Sequence, residues 1–324
     1  MSYAIQVNEY GGPEVLAWSK VDVGAPPAGW VRLRQTAVGV NFMEITQRKG
    51  RSPFPLPIPG GIGTEAAGVV EAVGDGVEEF HVGDRVAYGG GPPGAYAESR
   101  TVPANILVKI PDGITDAQAA AIMLKGLTAQ ALVRQLYTAK KGDFVLYHAV
   151  TSGVGTIACQ WLAHMGVNVI GTVSTDEKAE VARANGCAYP IVRTREDFVE
   201  QVTKITGGKM VPIVFDSVGK ETFLKSLECL APRGTLAIYG QASGPIGPID
   251  LGLLVKNSLF LTRAGLGAYA SPRPNLLNAA NDLFQAVSSG VITVKMRTYP
   301  LREAASAHQA VENRETTGST VLVV

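Results

Sequence analysis

The stretch 148-HAVTSGVGTIACQWLAHMG-166 decides the fold of the central part of this chain. A Gly-rich turn leads into a segment whose apolar residues recur at i, i+3, i+4, i+7, i+8 and i+11, from Val154 to Met165. That period predicts a helix with one face packed on a sheet, and Gly166 can end this helix. The turn has two interpretations: a dinucleotide-binding fingerprint, or a plain tight turn between a strand and a helix.

The surroundings of this stretch favour the first interpretation. From about residue 125 to 262, apolar strands such as VLYHAV, NVIGTV, VPIVFD and TLAIYG alternate mainly with helical patterns. This order is typical of a parallel sheet covered on both faces. In a first strand–helix unit, small residues let the backbone approach a pyrophosphate, which the free N–H groups of the helix stabilise. Gly153 and Gly155 are placed for this role, and the Ser152 hydroxyl could donate a further hydrogen bond to phosphate.

The rest of the chain has a different pattern. Residues 1 to about 124 consist of short apolar segments separated by Gly, Pro and Asp, which predicts a compact, mostly β unit with few helices. After about residue 263 we expect a helix near 275–289, a strand, a helix near 302–313 and a final strand. These elements would complete the first unit, so that residues 1–124 and 263–324 form one domain and residues 125–262 form an inserted second domain.

Composition narrows the class of protein and its partners. The 324 residues carry a net charge of +1 with scattered Lys and Arg, so we expect neither nucleic-acid nor membrane binding. No apolar run reaches the roughly 18 residues of a membrane span, and no targeting segment is visible. The three cysteines include no CxxC pair, which is typical of reduced thiols. We therefore predict a cytoplasmic protein with a small-molecule partner.

The residue that ends the second strand bears on the choice of dinucleotide. An acidic residue at the end of NVIGTV would bind the ribose hydroxyls of NAD, whereas this chain has Val173. Lys178 offers a cationic donor for the 2′-phosphate of NADP, although it could equally lie on a solvated helix face. Asp176 and Glu177 are more simply favourable charges at a helix start than ribose ligands. We therefore expect NADPH.

Several further segments occur in an order known from one protein superfamily. With them, the chain resembles the medium-chain dehydrogenase/reductase superfamily and, within it, the zinc-free quinone oxidoreductases related to zeta-crystallin. The segments are GGPEVL at 11–16, GVNFMEI at 39–45, GTEAAGVVEAVGDGV at 63–77, GDRVAY at 83–88, LKGLTA at 124–129, FDSVGKET at 215–222 and ENRETTGST at 312–320.

This resemblance implies an architecture of the α/β class. The domain formed by 1–124 and 263–324 would be a GroES-like β-barrel that binds substrate. The domain at 125–262 would be a Rossmann domain with a doubly wound parallel sheet that binds NADP. The resemblance also implies a homodimer joined through edge strands, and the segment 258-SLFLTRAGL-266 resembles the joining strand.

The resemblance also implies which residues hold the cofactor and that no metal is bound. Asn41 and Thr64 stand at the first two metal-ligand positions of the zinc-dependent relatives, so we expect no zinc. The residues implied in binding NADPH are Asn41, Lys125, Thr128, Ser152, Gly153, Val154, Gly155, Thr172, Ser174, Lys178, Arg193, Ser217, Val218, Gly240, Gln241, Arg263 and Arg314.

The expected reaction is hydride transfer from NADPH to a quinone or another electron-poor carbonyl acceptor. Hydrogen-bond donors should stabilise the negative charge that arrives with the hydride, and Asn41 is the first candidate. Asn41 could instead tie the barrel to its adjacent loop. Thr46, Ser52, Thr128 and solvent are the candidate proton sources. Two alternatives stay open: an NADPH-dependent enone or enoyl (2-alkenal) reductase, and a nucleotide-binding protein without relevant turnover.

Overall fold

The computed structural model describes residues 2–324, and the contacts within the chain divide it into two compact units. Unit 1 comprises the residues up to 127 together with 270–288 and 294–324. Unit 2 comprises 128–269 and 289–293. The second unit is therefore inserted, in sequence, between parts of the first.

The limits of these units differ from the predicted domain limits, which followed residues 124 and 262. A helix, Asp116–Gln130, runs through the first limit, and the change of unit falls after Leu127. A strand, Phe260–Arg263, pairs with the sheet of unit 2, and the chain stays with that unit up to Tyr269. The assignment of a substrate role to one domain and a cofactor role to the other stays a prediction.

Unit 1 is built on two β-sheets, in agreement with its predicted β character. Its strands are β1 (Ser2–Val7), β2 (Leu16–Val21), β3 (Trp30–Val40), β4 (Gly60–Gly61), β5 (Glu65–Val73), β6 (Arg85–Gly89), β7 (Ser99–Pro103), β8 (Val108–Lys109) and, after the strands of unit 2, β15 (Met296–Pro300) and β16 (Ser319–Val323). One sheet has the order β2-β1-β4. The other has the order β15-β16-β3-β5-β6-β8, with β7 paired to β3.

Strand β3 organises the larger sheet because it pairs with β5, β7 and β16. Its residues alternate between the core and the surface: Val31 and Leu33 are fully buried, whereas the arginines beside them point outward. This alternation is the signature of a strand with one face on a core. Leu33 stands opposite Val70 of β5, and both side chains belong to the apolar core of unit 1.

The helices of unit 1 include two that the sequence did not predict. The short α1 and the long α2 both fall in the part of the chain where few helices were expected. The two helices near the carboxyl end of the chain were predicted, and the structure confirms them. The helices are α1 (Phe42–Arg48), α2 (Asp116–Gln130), α8 (Arg273–Ser288) and α9 (Ala304–Glu312).

Unit 2 contains the predicted parallel sheet. Its strands are β9 (Phe144–Tyr147), β10 (Asn168–Val173), β11 (Tyr189–Val192), β12 (Val211–Asp216), β13 (Leu230–Ile238) and β14 (Phe260–Arg263). They lie in the order β11-β10-β9-β12-β13-β14, and every pairing is parallel. The chain moves from β9 towards one edge through β10 and β11, and then returns to continue on the other side through β12. The direction therefore changes between β9 and β12, and ligands of such sheets bind beyond the carboxyl ends of the strands at this point.

Three helices of unit 2, which begin at residues 153, 176 and 198, are capped by hydrogen-bonding side chains. The Thr175 side chain accepts a hydrogen bond from the Lys178 N–H, which confirms the predicted cap. Gly166 ends the helix of the quoted stretch in the left-handed conformation, with φ of 76°, and such a conformation favours glycine. The helices are α3 (Gly153–His164), α4 (Asp176–Ala184), α5 (Phe198–Ile205), α6 (Phe223–Glu228) and α7 (Leu266–Tyr269).

Candidate active site

The turn between β9 and α3 is closed by its own side chains. Ser152 is the N-cap of α3, and its Oγ accepts a hydrogen bond of 3.1 Å from the Gly155 N–H. Because a hydroxyl can accept and donate at once, the Ser152 O–H is still available as a donor at the helix N-terminus. The first N–H groups of a helix have no intrahelical acceptor, so the turn presents backbone donors to an anion.

Gly155 is required by the packing of this turn. A Cβ at this position would lie 2.6 Å from the Ala149 carbonyl oxygen and 2.8 Å from the Val150 carbonyl carbon. Both atoms belong to the backbone, which cannot move aside without displacing the strand-to-helix connection. The close approach of helix and strand that the sequence indicated is therefore present.

His148 lies in the core beside the turn and forms hydrogen bonds with two buried hydroxyls. The Ser226 hydroxyl donates to the Thr222 carbonyl, so it must accept from His148 Nε2–H, at 2.9 Å. His148 Nδ1 is then the unprotonated nitrogen and accepts from the Thr172 hydroxyl at 3.0 Å. Burial lowers the pKa of His148, which keeps the ring neutral. His148 is thus a core residue that fixes the turn.

This network changes the role expected for Thr172. Its side chain is buried, and its oxygen is already bonded to His148 and accepts from the Ala149 N–H at 3.3 Å. The Thr172 carbonyl also accepts from the Val150 N–H. Thr172 therefore supports the turn from the core, and its expected cofactor contact stays a prediction.

Two tyrosines that the sequence did not single out lie at the carboxyl edge of the same sheet. Tyr147 ends β9 and Tyr239 follows β13, with ring centroids 6.0 Å apart. Both hydroxyls are buried, and neither makes a hydrogen bond of standard geometry among residues 2–324. They interact with each other, and the Tyr239 hydroxyl also interacts with those of Ser217 and Ser152. Burial raises the pKa of Tyr239 to about 12, while the nearby Ser217 hydroxyl acts in the opposite direction. Buried hydroxyls that lack such a bond are uncommon, so these two mark a polar region suited to a ligand or water.

Asp216, at the end of β12, shapes the loop that carries Ser217 and Val218. One carboxylate oxygen accepts from the N–H groups of Val218 at 2.7 Å and Gly219 at 3.1 Å. The other accepts from the Thr222 hydroxyl at 2.7 Å. Nearby, a Cβ on Gly240 would lie 2.7 Å from the Ser217 carbonyl oxygen. The structure thus brings Ser217, Val218 and Gly240 together at one edge of the sheet.

Lys178, predicted to bind the 2′-phosphate, lies near two other expected cofactor residues at the ends of β10 and β11. Ser174 and Lys178 lie just beyond β10, where the Ser174 carbonyl accepts from the Thr194 hydroxyl. Arg193 follows β11, where its side chain forms an ion pair with Glu221 at 2.9 Å. Arg195 pairs with Asp176 on the surface. Strands β10 and β11 are neighbours, so these basic side chains share one part of the sheet edge.

The remaining predicted cofactor residues lie in other places. Gln241 follows Gly240, and Arg263 ends β14, where it stands opposite Ile238. Thr128 lies on α2 and is partly buried. Arg314 belongs to unit 1 and adopts a left-handed conformation in the turn between α9 and β16. Their cofactor contacts stay predictions.

Unit 1 contains a buried charged cluster, which we call the Glu65 cluster: Asn41, Glu44, Thr64, Glu65 and Lys125. The Lys125 ammonium binds Glu65 Oε2 at 2.8 Å, and Asn41 Nδ2 donates to the same oxygen at 3.0 Å. Glu65 Oε1 accepts from the Leu124 N–H at 2.7 Å. The cluster thus joins the start of α1, the start of β5 and the middle of α2.

Glu44 completes the Glu65 cluster from the first turn of α1. Its Oε2 accepts from the Asn41 N–H at 2.6 Å, and its Oε1 accepts from the Thr64 hydroxyl at 3.2 Å. Burial raises the pKa of Glu44 from 4.5 to about 7; Lys125 lowers it and Glu65 raises it further. Glu44 therefore changes charge near neutral pH.

These contacts alter the role expected of Asn41. Its side-chain N–H donors are directed to carboxylates, at 3.0 Å to Glu65 and 3.4 Å to Glu44. They are therefore engaged within unit 1, and the proposed role of Asn41 in stabilising the acceptor stays a prediction. The second interpretation, in which Asn41 ties the barrel to the adjacent segment, agrees better with the structure.

Thr46 and Ser52 make only local hydrogen bonds. The Thr46 hydroxyl donates to the Met43 carbonyl at 2.8 Å within α1. Ser52 Oγ accepts from the Phe54 N–H at 3.1 Å in the following loop. Neither residue belongs to the Glu65 cluster, so a proton-donor role for either stays a prediction. Within residues 2–324, no three His, Cys, Asp or Glu side chains are grouped as metal ligands.

Comparison with known proteins places these features in a family. Residues 27–112 match the alcohol dehydrogenase GroES-like domain, and residues 153–282 match the zinc-binding dehydrogenase family. The chain is 47% identical to a quinone oxidoreductase of Pseudomonas aeruginosa over the whole of both chains. It belongs to the quinone oxidoreductases of the medium-chain dehydrogenase/reductase superfamily. This confirms the family and the GroES-like plus Rossmann architecture predicted from the sequence.

Other similar proteins include a reductase with a different named substrate and two proteins whose structures contain NADPH. A 2-haloacrylate reductase of Burkholderia is 48% identical, covering 100% of this chain and 99% of that protein. The structure of the Escherichia coli quinone oxidoreductase in complex with NADPH matches with a TM-score of 0.97 at 40% identity, covering 99% and 100% of the two chains. A mycobacterial protein in complex with NADPH matches with a TM-score of 0.95 at 42% identity, covering 99% of this chain and 100% of that one.

Among residues 2–324, no helix combines the length and the apolar character needed to cross a bilayer.

Proposed function

We propose that this protein is an NADPH-dependent oxidoreductase that delivers hydride to a quinone. The observation that carries the proposal is the Ser152-capped turn at the switch point of the parallel sheet, in a chain 47% identical over its full length to a quinone oxidoreductase. When bound, NADPH would supply the hydride, while the protein supplies position and electrostatics.

The residues of unit 2 fit a dinucleotide. The turn offers backbone donors and the Ser152 hydroxyl to a pyrophosphate, and Gly155 lets the helix start lie close to the strand. The buried hydroxyls of Tyr147 and Tyr239 supply further polar groups at the same edge. Bound cofactor or ordered water could satisfy these hydroxyls, which is why we propose NADPH at this edge.

The preference for NADPH over NADH rests on the residues after β10. Val173 ends the strand where an acidic residue would bind the ribose hydroxyls of NAD. Lys178 and Arg193 lie beyond the ends of neighbouring strands and are suited to a 2′-phosphate. Arg193 is bonded to Glu221 in this structure, so it would exchange that partner for the phosphate.

A second candidate reaction is reduction of an activated C=C bond. The observation that favours it is the 48% identity, over the full length, to a protein named 2-haloacrylate reductase. Both reactions place negative charge on the acceptor after hydride arrives, at a quinone oxygen in one case and at an enolate in the other. They therefore need similar electrostatics and differ in the shape of the acceptor.

Steady-state NADPH oxidation with several acceptors tests these proposals. The acceptors are 1,4-benzoquinone, a larger ortho-quinone, an α,β-unsaturated ketone and 2-chloroacrylate, with NADH in parallel. We expect turnover of the quinones, faster with NADPH than with NADH. Turnover of the ketone or the chloroacrylate alone would favour C=C reduction instead. Tight NADPH binding without any turnover would support the nucleotide-binding alternative.

We also propose that the protein forms a homodimer through β14. This strand lies at the end of the sheet, and it begins with Phe260, whose side chain is 57% exposed. Leu251 and Val255, shortly before it, are more than 70% exposed. Exposed apolar residues beside an unpaired strand edge are suited to a second copy. Light scattering should give twice the chain mass, and Phe260→Asp should give one chain mass, whereas Phe54→Asp, in unit 1, should not.

The cytoplasmic location predicted from the sequence forms part of the same proposal. It is supported by the three cysteines, which are buried free thiols. Fractionation of cells that express the untagged protein would test it, and recovery outside the cytoplasmic fraction would contradict it.

A further inference from the structure

Arg48 is buried in unit 1, and only one side of its guanidinium has a partner. Its side chain, at the end of α1, is 0% exposed, and Nη2 donates to Glu312 Oε2 at 2.6 Å. Nε and Nη1 are also buried, and neither has an acceptor among residues 2–324. Nε carries one hydrogen and Nη1 carries two. Three N–H bonds of a buried cation therefore have no acceptor in the described chain.

Such an arrangement around a buried cation needs a physical reason. Buried polar groups are almost always hydrogen-bonded, and a buried charge is costly unless partners surround it. Gln47, the neighbouring residue, is directed elsewhere, because successive residues of a helix do not face each other. Its side-chain amide donates to the Phe54 carbonyl at 3.1 Å. The remaining donors of Arg48 are thus suited to a partner that accepts several hydrogen bonds at once.

The charges beside Arg48 do not cancel. Arg48 and Lys49 both pair with the single carboxylate of Glu312. Burial raises the pKa of Glu312, but the hydrogen bonds from Lys49 and Arg48 outweigh burial and hold this pKa below its usual value. The carboxylate is therefore ionised. Two cations share one anion, which leaves an excess of one positive charge.

The two buried carboxylates of unit 1, Glu44 and Glu65, do not compensate this charge. Glu65 is paired with Lys125 at 2.8 Å. Glu44 accepts from the Asn41 N–H and the Thr64 hydroxyl. Among residues 2–324, the ion pair of Arg48 is with Glu312 alone. Compensation must come from a group outside the described chain.

His308 adds a donor beside the same ion pair. It lies one helical turn before Glu312 on α9, so the two side chains share a face. Its ring is fully buried, and Nε2 forms a hydrogen bond of 2.9 Å with the Tyr96 hydroxyl. Burial raises the pKa of Tyr96 well above its usual value, so this phenol keeps its proton and can donate to Nε2. In that tautomer Nδ1 carries the ring proton, and Nδ1 is buried with no partner among residues 2–324.

The His308 ring contributes this donor without contributing a charge. Its pKa is lowered to about 3 by burial and by the Arg48 cation, against the opposing effect of Glu312. The ring is therefore neutral near pH 7. Arg48 and Glu312 both influence His308, which agrees with the helical spacing that places the imidazole next to the ion pair.

We propose that Arg48 Nε, Arg48 Nη1 and His308 Nδ1 form a binding site for one small monovalent anion such as chloride. Chloride accepts several hydrogen bonds without a fixed direction, so one ion can serve these donors together. A single negative charge matches the single excess positive charge, whereas sulfate would add a second one. The site joins α1 to α9 within unit 1, so the bound anion stabilises this unit. This inference goes beyond the proposed function and does not depend on it.

Bromide tests the occupancy of the site directly, because it replaces chloride and scatters X-rays anomalously. Crystals of the full-length protein would be grown with sodium bromide and, in parallel, with sodium gluconate. We expect an anomalous peak within hydrogen-bond distance of the Arg48 guanidinium and of His308 Nδ1 in the bromide crystals. The gluconate crystals should show no anomalous peak at this place.

Thermal unfolding gives a second measurement, in solution. Replacing about 200 mM sodium gluconate by the same concentration of sodium chloride should raise Tm by about 2 °C, because a ligand that binds only the folded protein stabilises it. Arg48→Lys keeps a cation for Glu312 but loses the planar fork of donors, so it should lose the chloride effect. Arg51→Lys, the same change at an exposed position, should keep the effect.

The outcomes distinguish an anion from water and from an ion at another place. A bromide peak at Arg48, together with a chloride effect that Arg48→Lys loses, would support the site. A Tm that does not depend on the anion, or bromide crystals without a peak beside Arg48, would overturn it in favour of water. A chloride effect that Arg48→Lys retains would also overturn it. If Arg48→Lys does not fold, the bromide peak and the Tm of the natural protein decide. Turnover enters none of these measurements, so a negative result leaves the proposed function unaffected.

Discussion

The turn after β9 and the Glu65 cluster are two polar centres of this protein, and they are built in opposite ways. The turn comes from one continuous stretch, and backbone groups supply most of its hydrogen bonds. The cluster brings together side chains as far apart in sequence as Asn41 and Lys125, and it is held by ionised groups. Removing one group from the turn should weaken only the start of one helix. Removing one partner from the buried ionic cluster leaves another charge unpaired and should cost more stability.

The largest expected effect is on the free energy of unfolding, and it tests the buried ion pair between Glu65 and Lys125. Glu65→Leu leaves the Lys125 ammonium buried without its partner, so unfolding free energy should fall by about 4 kcal/mol. The double variant Glu65→Leu/Lys125→Met should recover most of the loss, because it removes both charges. Urea denaturation measures both. A single variant as stable as the natural protein would show that water reaches Lys125.

Gly155→Ala tests the packing of the turn. The added Cβ would lie 2.6 Å from the Ala149 carbonyl oxygen, so the helix start must shift. We expect a loss of about 2 kcal/mol in stability and weaker NADPH binding. Gly267→Ala is the matched control, since its Cβ would meet nothing within 4 Å. Equal effects at the two glycines would contradict the close approach at position 155.

Lys178→Ala tests the proposed preference for NADPH over NADH. Removing the cation should raise the KM for NADPH about tenfold, which corresponds to roughly 1.4 kcal/mol, and leave the KM for NADH unchanged. Lys204→Ala, on the exposed side of α5, should change neither value. Loss of affinity for both cofactors alike would remove Lys178 from the 2′-phosphate site.

The smallest expected effects concern Ser152, which caps α3 and is also proposed to bind phosphate. Ser152→Ala removes the cap of α3 and should cost about 1 kcal/mol in stability. Ser152→Asp restores the cap but adds negative charge beside the proposed pyrophosphate, so stability should return while NADPH affinity falls. Asp197→Ala, which removes the cap of α5, should lower stability without changing NADPH binding. Full NADPH affinity in Ser152→Asp would exclude phosphate at this turn.

The sequence predicted the turn region well because its determinants are local. The apolar period of α3, the glycine after it and the cap at Thr175 each act over a few residues, and the structure contains all of them. The parallel sheet followed from the alternation of strands and helices. The contact of Thr172 on β10 with His148 could not be predicted, because it joins residues that are neighbours in space and 24 positions apart in sequence.

The Glu65 cluster could be predicted only in part. Asn41, Thr64 and Lys125 stood in segments shared with the family, but nothing local indicated that the Asn41 side chain also donates to Glu65. Helix α1, which carries Glu44, was itself not predicted. Its capping box is formed by its own Asn41 and Glu44, but a helix of seven residues is too short to be stable alone.

The sequence by itself determined the two-unit organisation, the parallel sheet, the family and the Gly-rich turn, because periodicity, caps and glycines act within a few residues of one another. Tertiary structure alone decided which polar groups are buried together: the neutral His148 beneath the turn, the hydroxyls of Tyr147 and Tyr239, and a carboxyl at Glu44 whose pKa lies near 7. The pKa of a buried group, and the energy of its interactions, depend on its neighbours in space and on the exclusion of water. Those neighbours come from distant parts of the chain, so folding is what sets them.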